Sequence, residues 1–346
     1  MNLVDKLVNN HTLSHNEFVE LLYDNSKETC NYLTEKAVEI RKKIYSNHIY
    51  IRGLIEISNF CKNDCLYCGI RRSNKKCERY RLNKEEILSC CEIGYTLGFR
   101  TFVLQGGEDP YYTDDLLCDI INEIKNTYPD CAVTLSLGER SKKSYQKLFS
   151  AGADRYLLRH ESINENHYSV LHPENMKLEN RMECLKNLKE IGFQTGCGIM
   201  VGSPYQTIEN IAEDLIFISQ FKPEMVGIGP FIPHKDTPFA DKDAGNIELT
   251  CKILSIVRIM LPNVLLPATT ALGSLEIGGR EKGILCGANV VMPNLSPINV
   301  REKYMLYNNK LSSGDEAAES LEKLKSNIKK IGYEIITDRG DFKKTF

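Results

Sequence analysis

The sequence predicts an α/β fold: a (β/α)8 barrel of the TIM type, with an N-terminal helical cover and a C-terminal helical extension. Three observations lead there. From residue 51, short apolar runs alternate with amphipathic helical patterns. Eight such alternations fit the chain, and eight parallel strands close a barrel. Nearly every apolar run ends in polar residues or glycine, and strand C-termini carry the site in such barrels. A doubly wound open sheet is the structural alternative.

Taken in order, residues 1–47 place apolar side chains at three- and four-residue intervals, which predicts helices. Strands are expected at 51–58, 101–105, 131–137, 154–160, 194–201, 224–229, 263–267 and 288–292. Helices are expected near 83–98, 114–127, 141–151, 178–192, 207–221, 247–261 and 277–285. Gly98, Gly152 and Gly192 follow apolar helical runs, as stop residues do. Arg301 to Tyr307 reads as a short helix with Tyr304 and Tyr307 one turn apart, and Ser312 to Lys330 as a polar amphipathic helix. Asp338-Arg339-Gly340-Asp341 reads as a surface tail or cap. The expected division is a cover over 1–47, a barrel over 48–300 and an extension over 301–346.

At 346 residues, 42% hydrophobic and 26% charged, the chain has the composition of a globular protein with a sizeable core. A net charge of -2 gives no electrostatic case for nucleic acid or an anionic membrane. The N-terminal residues show no signal-peptide pattern, and no apolar run approaches the ~18–20 residues of a membrane span. The expectation is a cytoplasmic protein. Its 13 cysteines, an odd number without a secreted-domain pattern, then favour metal or redox use over disulfides. Cys90, Cys91, Cys118, Cys131, Cys184 and Cys251 sit in apolar periodic segments and read as small core residues.

The strongest local signal is Cys61, Cys65 and Cys68, spaced C-x3-C-x2-C after the first barrel strand. Three thiolates on one loop can grip one metal centre. Iron–sulfur clusters usually take four protein ligands, so three would leave one iron open to a small molecule. A structural zinc site, with His48 or His160 as fourth ligand, is the competing reading. After the second strand comes Gly106-Gly107-Glu108, which alone could be a plain turn. The fourth strand ends Arg159-His160-Glu161. A guanidinium there suits a carboxylate, and a carboxylate suits a ribose or an ammonium, although the pair could merely lock the barrel mouth. Arg181 could reach the same ligand or lie on the surface. Met200 could pack on an adenine or belong to the core.

These elements resemble the radical S-adenosylmethionine (SAM) enzymes: the cysteine triad with Tyr67 before its last member, the Gly-Gly-Glu element, and Gly198-Ile199-Met200-Val201-Gly202. The longer stretches narrow the match: LQGGEDPYY (104–112), TLSLGE (134–139), DRYLLRHE (154–161), MVGIGPFIPHKDT (225–237), PATTA (267–271) and GGRE (278–281). With them the chain resembles the HydE family, the radical SAM maturases of [FeFe]-hydrogenase, and more distantly biotin synthase and methylornithine synthase. The resemblance implies a closed barrel with a large cavity. It implies a [4Fe-4S] cluster on Cys61, Cys65 and Cys68 that reductively cleaves SAM to a 5′-deoxyadenosyl radical. It also implies SAM contacts at Tyr67, Gly106, Gly107, Glu108, Ser136, Arg159, Glu161, Arg181 and Met200. A substrate cavity at Thr134, Arg155, Met225, Thr269, Thr270, Met292, Tyr304 and Tyr307 follows in the same way. The implied substrate is a small organometallic iron–cysteine complex. The implied partners are a sister radical SAM enzyme, a GTPase scaffold and an electron donor.

In one respect the chain departs from the family pattern. Some members carry three further cysteines near the C-terminus for a second cluster; here residues 311–325 hold none, so no second cluster is expected. Two rival readings remain open on the residues alone. One is a methylornithine-synthase-like mutase acting on an amino acid. The other is a non-catalytic iron–sulfur or zinc scaffold.

Overall fold

The computed structural model describes residues 2–311 and 318–344. Three helices come first: α1 (Leu3–Asn10), α2 (His15–Tyr23) and α3 (Lys27–Tyr45). Two strands follow, β1 (His48–Ile51) and β2 (Gly53–Ser58). The alternation then runs through α4 (Lys84–Thr96), β3 (Thr101–Gly106), α5 (Asp114–Thr127), β4 (Ala132–Ser136), α6 (Lys142–Ser150) and β5 (Arg155–Leu157). Two helices, α7 (Glu165–Leu171) and α8 (Leu178–Ile191), precede β6 (Gln194–Val201). After α9 (Ile208–Phe221) and β7 (Met225–Pro230) come α10 (Ile247–Met260), α11 (Thr270–Leu275), α12 (Gly279–Leu285), β8 (Val290–Val291) and α13 (Ile298–Arg301). The chain ends with a 3-10 turn over Ala318–Ser320, then α14 (Leu321–Lys330) and β9 (Glu334–Ile336).

Local chemistry sets these boundaries. Asn83, Thr113, Ser141 and Asn246 each accept a hydrogen bond from a backbone N–H in the first turn of the helix they precede. Asn83 and Glu86 complete a reciprocal capping box. Gly98, Gly152 and Gly192 all take the left-handed φ expected of stop residues. β2 is buried on both faces, as an inner parallel strand must be when helices cover the sheet.

Strands β2 to β7 form one parallel sheet in sequence order. Single bridges carry the ring onward, from Met225 to Leu265, from Pro267 to Val290, and from Asn294 back to Leu54. A TIM-type barrel results, and the remaining arc is held by bridges rather than long strands. The expected strand at 263–267 is reduced to these bridges for a physical reason. Pro267 has no N–H, and the Leu266 N–H donates to the Asn289 side chain at 2.9 Å instead of to a neighbouring strand.

Three further expectations change. The run at 51–58 divides at Arg52: β1 leaves the main barrel sheet and pairs with β8 and β9. The helix expected from Arg301 is already complete there, at Ile298–Arg301, and residues 302–311 continue as irregular chain. Helix α7 and strand β9 were not anticipated. The start of the polar helix expected from Ser312 falls outside the described residues, and its later part is α14.

The expected cover lies on the outside of the barrel, with α2 against α9 and α3 against α10. Lys252 of α10 is buried and donates to the carbonyls of Leu22 at 3.2 Å and Asp24 at 2.7 Å, tying off the end of α2. The C-terminal stretch is a plug rather than a surface tail. Arg339 O accepts from Thr101 Oγ1 at 2.7 Å and Arg155 Nη2 at 2.9 Å, and Asp341 Oδ1 pairs with Arg155 at 2.5 Å. These residues stop up the N-terminal ends of the strands, which leaves the opposite end for chemistry.

Candidate active site

Residues 59–82, between β2 and α4, form the cysteine loop. Cys61, Cys65 and Cys68 are all free thiols, partly covered. The loop is held from several sides. Lys62 N–H donates to Glu108 O at 2.9 Å, Leu66 N–H to Leu171 O at 2.9 Å and Gly69 N–H to Leu306 O at 2.8 Å. The Arg79 guanidinium gathers the carbonyls of Ile70 at 2.8 Å, Arg71 at 2.7 Å and Asn74 at 3.1 Å. Five donors in a fixed fork suit one arginine to that task.

Burial pushes all three thiols up, Cys68 to about 12, and at Cys65 and Cys68 the charge of neighbouring thiolates adds to it. A metal ligand must be a thiolate, so this set needs a positive centre in its midst. Among the described residues, no three His, Cys, Asp or Glu side chains could hold a metal ion. Cys61, Cys65 and Cys68 would together be the residues to hold an iron–sulfur cluster, which thiolates bind. The proposed histidine ligands for zinc lie elsewhere. His48 opens β1 on the plugged side. His160 is fully buried, with Nδ1 accepting from Gly198 N–H at 3.3 Å and Nε2 3.3 Å from Asp214.

Beside the loop lies a cavity of 330 Å³, lined by Cys68 of the triad and by Tyr67, Gly106, Ser136, Arg159, Glu161, Arg181 and Met200, which were anticipated as SAM contacts. The volume falls within the usual range of small-molecule sites, ~300–1,000 Å³. Gly107 and Glu108 are not part of that lining. A Cβ on Gly107 would stand 2.2 Å from Phe60 O and 2.7 Å from Cys61 Cβ, so only glycine lets β3 meet the cysteine loop this closely. Glu108 turns aside, pairing with Lys62 at 3.1 Å and accepting from Glu139 N–H at 3.0 Å.

Arg159 donates to Glu161 at 2.9 Å, and Glu161 sits at φ 65°, a strained backbone for a glutamate. Arg181 donates to Glu139 at 2.5 Å and to Arg159 O at 2.6 Å, so it reaches inward from α8 rather than lying on the surface. Met200 joins Leu171, Phe231 and Phe239 in an apolar cluster, with Leu66 and Tyr67 packed against it. Tyr67 OH lies 3.3 Å from His172 Nε2, and His172 Nδ1 lies 2.9 Å from Tyr168 O. Burial, aided by the Arg181 charge, lowers His172 to about 3, so the imidazole stays neutral.

The cavity also takes in Thr269, Thr270, Met292, Tyr304 and Tyr307. Three residues expected there lie outside its lining. Arg155 and Met225 open their strands at the plugged end. Arg155 is committed to Asp341, Thr101 and Gln194, and Met225 packs with Tyr45, Tyr50, Leu265 and Val290. Thr134, opposite Arg155 in the ladder, is buried below the lining. Side chains on one strand face share a direction but not a depth, and motif matching cannot see depth. Conversely, Glu56, Gln105 and Lys310 line the cavity unannounced. Glu56 had a readable signal, a carboxylate inside the apolar run Leu54-Ile55-Glu56-Ile57; Lys310, in a polar stretch, had none. A wider surface groove of 790 Å³, lined by Lys76, Cys77, His234 and Lys303 among others, lies outside this mouth.

A barrel with a cysteine triad at its mouth and a cavity of cationic, acidic and apolar walls defines a radical SAM enzyme. Residues 55–218 match the model of the Radical SAM superfamily. The chain is 45% identical to the [FeFe] hydrogenase maturase subunit HydE of Thermotoga maritima, over 94% of this chain and 93% of the relative. It is 28% identical to 3-methylornithine synthase of Methanosarcina barkeri, over 92% and 90% of the two chains. The crystal structure of methylornithine synthase (PylB) superposes with a TM-score of 0.83 at 27% identity, covering 96% and 97%. That of HydG, a maturase of the [FeFe]-hydrogenase, gives 0.81 at 20% identity, covering 97% and 75%, which speaks for the fold alone. The chain belongs to the HydE family of radical SAM enzymes. Membership implies a [4Fe-4S] cluster and SAM, and the donor set and cavity described above fit both.

Proposed function

We propose that this protein is the radical SAM maturase that acts in assembling the di-iron part of the [FeFe]-hydrogenase active site. One observation carries the reading: in a chain 45% identical to a HydE, a single cavity runs from Cys68 past Arg159 and Glu161 to Met292 and Tyr307. When bound, the cluster supplies one electron that breaks a sulfonium bond of SAM and leaves a 5′-deoxyadenosyl radical. The chain's own residues do the rest. Cys61, Cys65 and Cys68 would hold the cluster through three thiolates, one fewer than the usual four protein ligands. Arg181 and Arg159 meet the methionyl carboxylate, with Gly106 towards its ammonium, while Gly107 and Glu108 brace the loop beside it. Glu161 and Ser136 hold the ribose, and Met200 and Tyr67 flank the adenine. The inner walls, with Thr269, Thr270, Met292, Tyr304 and Tyr307, face the second substrate, a small organometallic iron–cysteine complex, and exclude water.

The working partners are the sister radical SAM enzyme that makes this substrate, a GTPase scaffold that receives the product, and an electron donor. Cytoplasmic placement accords with the free thiols and with the absence of any membrane-spanning helix among the described residues. One cluster suffices, since residues 311–325 bring no cysteine. Anaerobic reconstitution tests the chemistry. The protein binds about four irons, and with dithionite it releases 5′-deoxyadenosine from SAM. Formation of methylornithine from an amino acid under these conditions would instead establish the mutase reading.

A further inference from the structure

A buried ion pair lines the cavity three strands round the barrel from the strand that leads to Glu161. Glu56, fully buried in β2, places Oε1 2.7 Å from Lys310 Nζ, and its Oε2 accepts from Asn294 at 3.0 Å. Lys310 is 8% exposed, with its ammonium 5.4 Å from the centre of the Tyr304 ring. An ammonium carries three N–H donors, and Glu56 is the one acceptor that Lys310 meets among the described residues. Glu56 Oε1, for its part, accepts no well-aligned hydrogen bond. The other two cations of the cavity each pair with a carboxylate, Arg159 with Glu161 and Arg181 with Glu139, and Arg159 keeps Nε without a partner among the described residues, on the SAM side assigned to it above.

Desolvating a lysine and a glutamate costs several kcal/mol each, and an apolar pair of equal volume often fills such a place as well or better. A pair kept at a cavity wall with a donor and an acceptor in reserve has the complementarity of a zwitterion. We infer that Glu56 and Lys310 form a receptor for the α-amino-acid end of the second substrate, Lys310 taking its carboxylate and Glu56 its amino group. The inference rests on the reading that this cavity houses a second, amino-acid-bearing substrate. It separates the work of the cavity's cations: the two arginines serve SAM and the lysine serves the partner molecule.

The test uses the anaerobically reconstituted, SAM-loaded enzyme and three thiol-free probes in equilibrium dialysis. These are S-methyl-L-cysteine, 2-(methylthio)ethylamine without the carboxylate, and 3-(methylthio)propionate without the amine. The wild type binds the amino acid at least ~10-fold more tightly than either truncated probe, as expected for losing one charge-assisted hydrogen bond. K310M loses the preference over the amine, K310R keeps most of it, and E56Q loses the preference over the propionate. Equal affinity for the three probes, no saturable binding, or a preference unchanged in K310M would overturn the receptor and leave the pair as a structural latch. Melting temperature and bound iron confirm that each variant is folded; should K310M not fold, the wild-type probes and K310R decide. The functional reading fails separately. Hydrogenase maturation that proceeds without this chain defeats that reading whatever the probes show.

Discussion

Cys65 is the middle thiol of the triad, its Sγ 3.8 Å from Met176 Sδ. With only Cys61 and Cys68 of the triad left, and Cys77 of the same loop turned to Asn59 and the Lys303 carbonyl, a cluster has no third anchor, so C65A should lose most of its bound iron and all SAM cleavage. Iron analysis and 5′-deoxyadenosine release check this. Glu161, held at positive φ against Arg159, should matter for SAM binding rather than for folding. E161Q removes one charge-assisted contact, worth ~1.5–3 kcal/mol, and should weaken SAM ~10- to 100-fold in a binding titration. His172 makes the pH prediction. In the unfolded chain it titrates near 6.5, but in the fold burial lowers it to about 3. Between these values the unfolded state binds more protons. Its contribution to stability is therefore complete above about 6.5 and is lost as pH falls towards 3, with a slope of up to ~1.4 kcal/mol per pH unit. Denaturant melts of H172F should show a shallower acid-side decline than the wild type; identical profiles would contradict the assignment. At this scale the sequence was legible where a residue type has few uses. Three close cysteines, or Arg-His-Glu closing an apolar strand, announce themselves. Lys310 and His172 do not, because their roles come from where the chain returns in space.

Elements explain what the residues cannot. Helix α7 is short and follows a polar turn, so periodicity gave it no weight, yet its last residue accepts the hydrogen bond that steadies the cysteine loop at Leu66. The bridge at 263–267 read as a strand because its apolar content is that of one; Pro267 and Asn289 decide otherwise. The C-terminal plug is the clearest case. The family resemblance placed Arg155 in the cavity, but it opens β5 at the end away from the mouth and meets Asp341. Removing Asp341 leaves a buried guanidinium without its anion. Asp341 is 41% exposed and Arg155 keeps its bonds to Gln194, Thr101 and Arg339 O, so D341A should destabilise by ~1–3 kcal/mol, and the double variant R155L/D341L should recover much of that loss. Chemical denaturation measures both. Additive losses in the double variant would mean that the plug is not held by this pair.

The whole molecule is a barrel closed at one end by its own C-terminus and opened at the other onto a cavity. The alternation of strands and helices made this architecture legible, since eight βα units have few ways to bury two faces of a parallel sheet. Depth within the barrel was not legible, which is why Arg155, Met225 and Thr134 were placed too near the mouth and Glu56 was overlooked. Residues 302–311 complete the cavity by contributing Tyr304, Leu306, Tyr307 and Lys310 from one segment tied back to Gly69. On the proposed reading, SAM chemistry and substrate recognition share this one chamber, built from opposite sides of the ring. The most direct measurement of the central claim is hydrogenase activity in the host cell after deletion of this gene. Activity should fall to background and return with the wild-type chain but not with C65A; undiminished activity in the deletion strain would contradict the account.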